Sequence, residues 1–421
     1  MEKKMKIQFS PPDITQKEID SVVETLKSGW LTTGPKTKQF EQMISDYCNT
    51  KKTAAMNSAT ACMEMTLRLL GVGPGDEVIT SAYTYTASAS VIHHVGAKIV
   101  LVDTEKDSFH LSLSDLNDKI TSKTKAIIAV DIGGVMCDYD KIFEIIEKNK
   151  EKYKPKDQIS ELRIELGRIA VIADAAHSFG AVYKGSMSGE VADFTCFSFH
   201  AVKNLTTGEG GAVTWKENNH INNDKVYKAF MNFSLHGQTK DALSKSQSGS
   251  WEYDIIEPNF KCNMTDIMAS IGIVQLERYN NLLEKRKELI SFYNENLKNE
   301  NIWIYNHYDG IGSSSGHLYL LRILNFEINH RNALIEELTK LNVPVNVHYK
   351  PLPLLSAYKK LGFNINDFPN AYALYKNEIT LPLHSSLDES QQIFIIKQFF
   401  KAYSNVINEY SEDFKLELNN V

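Results

Sequence analysis

The run Phe197-Ser198-Phe199-His200-Ala201-Val202-Lys203-Asn204-Leu205-Thr206-Thr207-Gly208-Glu209-Gly210-Gly211 sets one lysine at the end of an apolar, strand-like stretch, before a loop rich in threonine and glycine. Upstream, Ile169-Ala170-Val171-Ile172-Ala173-Asp174-Ala175-Ala176-His177-Ser178 places an aspartate at the carboxyl end of what reads as a buried parallel strand. A lysine that can form an imine, with an aspartate that can pair with a protonated pyridine nitrogen, is what pyridoxal phosphate chemistry asks of a protein. Alone, Lys203 would pass for solvated surface and Asp174 for a helix cap. Together they point to that cofactor.

The cofactor brings a phosphate, an aromatic ring, a pyridine nitrogen and an aldehyde, and the sequence offers a partner for each. Asn57-Ser58-Ala59-Thr60-Ala61 precedes a helix expected over residues 62–70. Small residues there leave backbone N–H groups free for an anion, and Thr60 adds a hydroxyl. The same string is also an ordinary Ser/Thr cap. Ala82-Tyr83-Thr84-Tyr85-Thr86 follows an expected strand, at a sheet edge where ligands gather, so one tyrosine could stack on the ring. Burial would disfavour the charge of Asp174 unless a cation faced it, and a pyridinium is such a cation. His177, three residues on, could reach the ring's phenolate oxygen. Lys203 must lose its proton to react, which burial favours. The neighbouring Thr-Thr-Gly-Glu-Gly-Gly string lacks the GxxxxGK[ST] pattern, and no GxGxxG follows the first strand.

These residues need a scaffold. Residues 13–28 have helical periodicity, with Ile19, Val22, Val23 and Leu26 on one face. A loop at 29–35 and a helix through Phe40 and Tyr47 follow. From 53 to 193 strands and helices alternate, predicting a mostly parallel central sheet with helices on both faces. Candidate strands at 77–80, 98–102, 126–130 and 169–173 are short, β-branched and nearly continuous in apolar character, as doubly covered strands should be. The charged stretch 144–168 predicts a lengthened surface crossover helix. Past Thr265 one long helix is expected through Leu276 and Leu282-Leu283 towards Tyr293. A strand at 317–323, a helix at 331–341, an extended piece at 344–348 and a helix at 388–403 then predict a smaller α+β unit. The expected division is a large cofactor domain with an N-terminal arm over 1–270 and a small C-terminal domain over 271–421.

The chain has 421 residues, too many for one compact core, with 43% hydrophobic and 23% charged residues and a net charge of −6. That charge leaves no nucleic-acid footprint, and no apolar run approaches the roughly 20 residues that span a bilayer. No long apolar stretch follows the basic amino terminus, so no signal peptide is expected. The 5 cysteines are scattered without a CxxC pair, which argues for reduced thiols in a cytoplasm and against a zinc site.

With these residues in place, the chain resembles the DegT/DnrJ/EryC1/StrS aminotransferases, nucleotide-sugar enzymes of pyridoxal phosphate fold type I, over nearly its whole length. Gly29-Trp30-Leu31-Thr32-Thr33-Gly34-Pro35 is similar to the family's opening loop, and Gly71-Val72-Gly73-Pro74-Gly75-Asp76-Glu77-Val78 to its GxGPGDEV segment. Asp174-Ala175-Ala176-His177 and the run from Ser198 to Gly211 resemble its cofactor motifs, and Phe260-Lys261-Cys262-Asn263-Met264-Thr265-Asp266 its YNYRMTD-type segment. Val347-His348-Tyr349-Lys350-Pro351-Leu352 and Leu381-Pro382-Leu383 resemble its C-terminal part.

The resemblance implies that Lys203 carries the cofactor and shuttles the proton. Asp174 would pair with the pyridine nitrogen, His177 would stand where the family has Gln or His, and Tyr85 would stack. Ala59, Thr60 and Ser198 would hold the phosphate. It implies a cytoplasmic homodimer with shared sites, in which Lys261 or Asn263 reaches the neighbour's phosphate; Lys261 stands where Asn is frequent. Trp30 and His348 would lie on the substrate side. The implied reaction is a ping-pong transfer from L-glutamate to a keto sugar, at C4 rather than C3, linked to a nucleoside diphosphate. An aminocyclitol ketone is the neighbouring alternative. Related sugar dehydratases carry histidine where this chain has Lys203, and a non-catalytic regulator binding DNA would want basic charge. Two departures from the family are the insertion at 144–168 and the polar, Ser-rich stretch from Gln238 to Tyr253.

Overall fold

The computed structural model describes residues 5–156, 160–217, 222–240, 243, 252–308, 310 and 312–411. Helix α1 (Gln16–Ser28) starts three residues later than its periodicity suggests, because a Thr15/Glu18 capping box fixes its first turn; Gly29, at φ 75°, ends it. Its apolar face is turned outward. Ile19, Val23 and Leu26 are 48%, 41% and 51% exposed, while Glu18 and Thr25 are buried. The inward side is tied by polar bonds: Gln275 Nε2 and Arg278 Nε donate to Glu18 Oε1 at 2.7 and 2.8 Å. Helix α2 (Pro35–Tyr47) follows, with proline where no N–H is needed.

The large sheet is built from β1 (Thr53–Met56), β2 (Glu77–Ser81), β3 (Lys98–Val102), β4 (Thr124–Val130) and β5 (Ala170–Asp174). After the two-residue strands β6 (Val182–Tyr183) and β7 (Ser186–Met187) it is completed by β8 (Phe194–Ser198) and β9 (Gly211–Trp215). Its order is β1-β9-β8-β5-β4-β2-β3, and β9 alone runs antiparallel to its neighbours. The connections are α3 (Ala59–Leu69), α4 (Ala87–His94), α5 (Leu113–Lys119) and α6 (Tyr139–Lys148). Alternate residues enter different cores, Ile128 and Ile172 in one, Ile127 and Val171 in the other, so both faces are covered.

The crossover before β5 is not a lengthened helix. Helix α6 stops at Lys148, a single 3₁₀ turn spans Lys150–Lys152, and among the described residues from there to β5 there is no further helix. Leu162, Ile164 and Leu166 pack against the core at period two, and the Ile164 N–H donates to the Leu69 carbonyl at 2.9 Å. Alternation, rather than charge, was the informative signal.

After α7 (Asn223–Ser234), only part of the Gln238–Tyr253 stretch falls within the described residues. The expected long helix is two, α8 (Asp266–Glu277) and α9 (Tyr279–Asn296), broken at Arg278 with φ −110° and ψ 7°. Arg278 is held there by Asp13 Oδ1 at 2.9 Å as well as by Glu18, so tertiary ion pairing overrides helix propensity. Strands β10 (Ile302–Ile304), β12 (Tyr319–Ile323) and β13 (Glu378–Leu381) form a second sheet, whereas β11 (Gly312–Ser313) joins β6 and β7. Helices α10 (Ile328–Lys340), α11 (Ser356–Lys360), α12 (Pro369–Asn377) and α13 (Glu389–Glu409) complete the chain. A third core gathers around this sheet and takes in Ile7 of the N-terminal arm. The tail beyond 411 lies outside the described residues.

Candidate active site

A cavity of about 370 Å³ opens at the carboxyl ends of the parallel strands, the edge at which open α/β sheets collect ligands. Asp174 is the last residue of β5 and is 5% exposed. Ser88, in the first turns of α4, donates its hydroxyl to Asp174 Oδ2 at 2.6 Å, and the Ala176 N–H donates to Oδ1 at 3.2 Å. Burial pushes the carboxyl above its ordinary range, against the pull of Ser88, Ala176 and Lys203. A hydrogen bond to an ionised group contributes about 1.5–3 kcal/mol, while burying an ion costs several kcal/mol. The carboxylate therefore favours a cation in the cavity.

Lys203 also lines the cavity. It sits five residues past β8, on a turn closed by its N–H to the His200 carbonyl at 2.9 Å. The loop around it is stitched shut by Phe199 N–H to Gly210 at 2.8 Å and Thr207 N–H to Phe199 at 2.9 Å. Asn204 anchors it from outside, donating to the Ser315 carbonyl at 2.8 Å and meeting His317 Nδ1 at 2.9 Å. Burial lowers the lysine to about 8, with Asp174 opposing that shift. Roughly a tenth of it is thus a free amine at pH 7, far more than an ordinary lysine offers.

Ala59 and Thr60 face the same cavity from the amino end of α3, and Ser198 from the end of β8. Ser58 is the cap and takes the Ala61 N–H at 3.1 Å, so the cap reading holds. The N–H groups of Ala59 and Thr60 have no acceptor among the described residues. Gly211 makes this junction possible: a Cβ there would meet the Ser58 carbonyl carbon at 2.3 Å and the Ala59 nitrogen at 2.5 Å.

Tyr85 lines the cavity, 60% exposed, with its ring 6.0 Å from that of Tyr349. Its neighbour Tyr83 is fully buried. His177 is 7% exposed, and its Nδ1 accepts the Gly133 N–H at 3.2 Å. Its proton therefore sits on Nε2, which donates to the Tyr349 hydroxyl at 3.0 Å. Burial, then the charges of Lys203 and His348, keep His177 neutral. His348 and Tyr349 close the cavity from the segment between α10 and α11, which bridges to β13 through Asn346, and Phe9 of the N-terminal arm stacks on His348 at 5.9 Å. Sequence reasoning had passed over Ser88 and Tyr349. Tyr349 lay within a quoted motif, but nothing local marks Ser88, which matters only because α4 abuts β5.

Three expected site residues stand apart from this cavity. Trp30 Nε1 donates to the Thr33 carbonyl at 3.3 Å, and the Asn263 amide donates to the Thr33 hydroxyl at 2.6 Å. Lys261 donates to Asn263 Oδ1. They form one cluster around Thr33, beside the bridge from Met56 to Asn263. Among the described residues there is no group of His, Cys, Asp and Glu that could hold a metal ion, and no helix long and apolar enough to cross a membrane. All five cysteines are unpaired.

The sequence profile of the DegT/DnrJ/EryC1/StrS aminotransferase family matches residues 12–152 and 157–400, and the chain belongs to that family. Its fold is that of the fold-type I pyridoxal phosphate transferases, and aminotransferases of this family use that cofactor. The chain is similar to a solved structure, the putative sugar aminotransferase Spr1654 from Streptococcus pneumoniae in its PMP form. The two share 49% identity at a TM-score of 0.92, covering 97% of this chain and 100% of that one. It is 34% identical to the spore coat polysaccharide biosynthesis protein SpsC of Bacillus subtilis, over 90% of this chain and 93% of that one. It is 32% identical to the UDP-4-amino-4-deoxy-L-arabinose–oxoglutarate aminotransferase of Shewanella sediminis, over 95% and 96%.

Proposed function

We propose that this protein is a pyridoxal phosphate-dependent aminotransferase that carries an amino group from L-glutamate to C4 of a keto sugar linked to a nucleoside diphosphate. The observation that carries the reading is the convergence of Asp174 and Lys203 on one cavity, whose amine and carboxyl feel one another's charge. The relatives named for amino-sugar nucleotides and polysaccharide synthesis support the substrate class. When bound, the cofactor supplies an electron sink for the carbon that gains or loses the amino group.

The chain supplies the rest. The free N–H groups of Ala59 and Thr60, with the Ser198 hydroxyl, suit a phosphate. Asp174 suits the ring nitrogen and keeps a proton on it, and Tyr85 suits the ring face. His177, fixed as its Nε2–H tautomer, holds Tyr349 at the cavity wall. The amine of Lys203 takes and returns the proton. Purified protein offered a panel of keto-sugar nucleotides with L-glutamate should release 2-oxoglutarate with 4-keto substrates. Release only with 3-keto sugars or cyclitol ketones would replace the substrate; a cofactor-loaded protein that releases no 2-oxoglutarate from glutamate, even in a single half-reaction, would end the enzyme reading.

We also propose a cytoplasmic homodimer joined across the outward face of α1. Exposed Ile19, Val23 and Leu26 with Leu31 are more apolar surface than a lone helix face should leave in water. The Asn263 amide nitrogen is committed to the buried Thr33 and Met264, whereas Lys261 is exposed and bonds Asn263 Oδ1, so Lys261 is the better placed of the two to turn to a neighbouring site. Sedimentation should give twice the chain mass, and Val23→Asp with Leu26→Asp should give monomers. A wild-type monomer with full turnover would sink this arrangement.

A further inference from the structure

Behind the cavity wall, three side chains form an unbroken line into the protein. His348 Nδ1 lies 2.9 Å from the Thr380 hydroxyl, and that hydroxyl lies 2.6 Å from Glu378 Oε1. The other carboxyl oxygen, Glu378 Oε2, accepts the backbone N–H of His348 at 2.9 Å. Glu378 and Thr380 are fully buried in β13, and Thr380 is pinned by backbone bonds to Asn346 at 2.8 and 3.2 Å. With Nδ1 committed to Thr380, the Nε2 of His348 is its remaining nitrogen; it has no hydrogen bond among the described residues, on a side chain that lines the cavity.

We infer that His348, Thr380 and Glu378 form a proton relay that removes a proton from an amino group brought into the cavity beside Lys203 and stores it on Glu378. The relay rests on the transfer reaction proposed above, in which an incoming ammonium must lose a proton before it can attack. The count is balanced. Nε2 gains the proton from the amine and Nδ1 passes its own to the Thr380 oxygen. Thr380 then gives its hydroxyl proton to Glu378. The imidazole ends neutral in its other tautomer, and the carboxylate ends as a carboxylic acid.

Without the relay His348 would be a poor base, because burial and the Lys203 charge hold it down at about 4. Burial raises Glu378 to about 8, even though Thr380, the His348 N–H and the Arg331 charge all lower it. The terminal acceptor is therefore far the better proton store. Around His348 the charged or titratable neighbours are Lys203, His177 and His317; around Glu378 they are Arg331, Tyr83 and Tyr349. Glu378 is the one carboxyl group among them, and it must be ionised to receive. Amino-donor kcat/KM should accordingly rise with pH through the Glu378 titration.

The test uses the full cofactor-loaded protein with ¹⁵N-labelled histidine, read by NMR, and amino-donor kinetics over pH. In the wild type the His348 ring should change from Nε2–H to Nδ1–H as pH rises, its signal assigned by loss in His348→Asn. Thr380→Val should abolish that change, lower donor kcat/KM about 100-fold, the low end of a positioned proton-transfer group, and leave KM for the keto substrate unmoved. Thr380→Ser should restore both. Glu378→Gln should hold Nε2–H at every pH. The relay is overturned if His348 keeps one tautomer across pH in the wild type, or if Thr380→Val keeps the wild-type pH profile. The tautomer is read without any sugar, so it stands or falls separately from the substrate assignment.

Discussion

Lys203→Ala should lose turnover by about 10,000-fold, the upper end of what a positioned proton-transfer group contributes, while still binding cofactor without covalent attachment. Borohydride should fix the cofactor to the wild-type chain at Lys203 and leave the variant unlabelled. Among the described residues that line the cavity, Lys203 is the one lysine, so no other amine stands ready to replace it. The apo fold should not suffer. Burial holds the Lys203 ammonium at about 8 against an ordinary 10.5, so in the folded protein the charged form is the disfavoured one. That penalty is complete below about pH 8 and fades towards 10.5. Lys203→Met should therefore raise the apo melting midpoint at neutral pH, by less at pH 10. Wild-type turnover in either variant would end the assignment of the lysine.

Asp174→Asn should cut turnover by about 10²–10⁴-fold. With the cofactor bound, the pair broken would be that with its protonated ring nitrogen; removing one member of a buried charge pair costs about 3–5 kcal/mol, and each 1.36 kcal/mol is tenfold in rate. The amide is isosteric: its oxygen can accept the Ala176 N–H, while its NH2 must donate to a Ser88 hydroxyl turned to accept, so both partners that seat the carboxylate now can be kept. Melting should change little, and cofactor affinity should fall, because a neutral amide cannot hold a proton on the ring nitrogen. Unchanged kinetics would reduce Asp174 to a cap for the turn after β5.

Much of this site was legible because its parts are local. A carboxylate ending an apolar run, small residues before a helix and a lysine before a glycine-rich turn are each set by a few adjacent residues, and the strands at 77–81 and 98–102 carry their own periodicity. Within the expected helix at 144–168, the described part beyond Lys148 was misread because lysines and glutamates suit helices, whereas its alternating Leu162, Ile164 and Leu166 answer to a core contributed by distant residues. The split of α8 from α9 has a similar origin, since Arg278 answers to Asp13 and Glu18. On α1 the apolar stripe was legible, but its outward direction was not, because burial of Glu18 depends on Gln275 and Arg278.

The sequence by itself determined which chemistry is possible: one amine, one carboxylate and a small-residue turn capping a helix, each written in a short string whose local backbone preferences are its own. Only the tertiary structure decided who stands behind them. Ser88 reaches Asp174 across 86 residues, Tyr349 reaches His177 across 172, and Glu378 and Thr380 back His348 from 30 and 32 residues further along. Hydrogen bonds fall off within an ångström and carry no trace of sequence distance. Proton positions in the cavity are therefore set by packing between elements, and no single element encodes them.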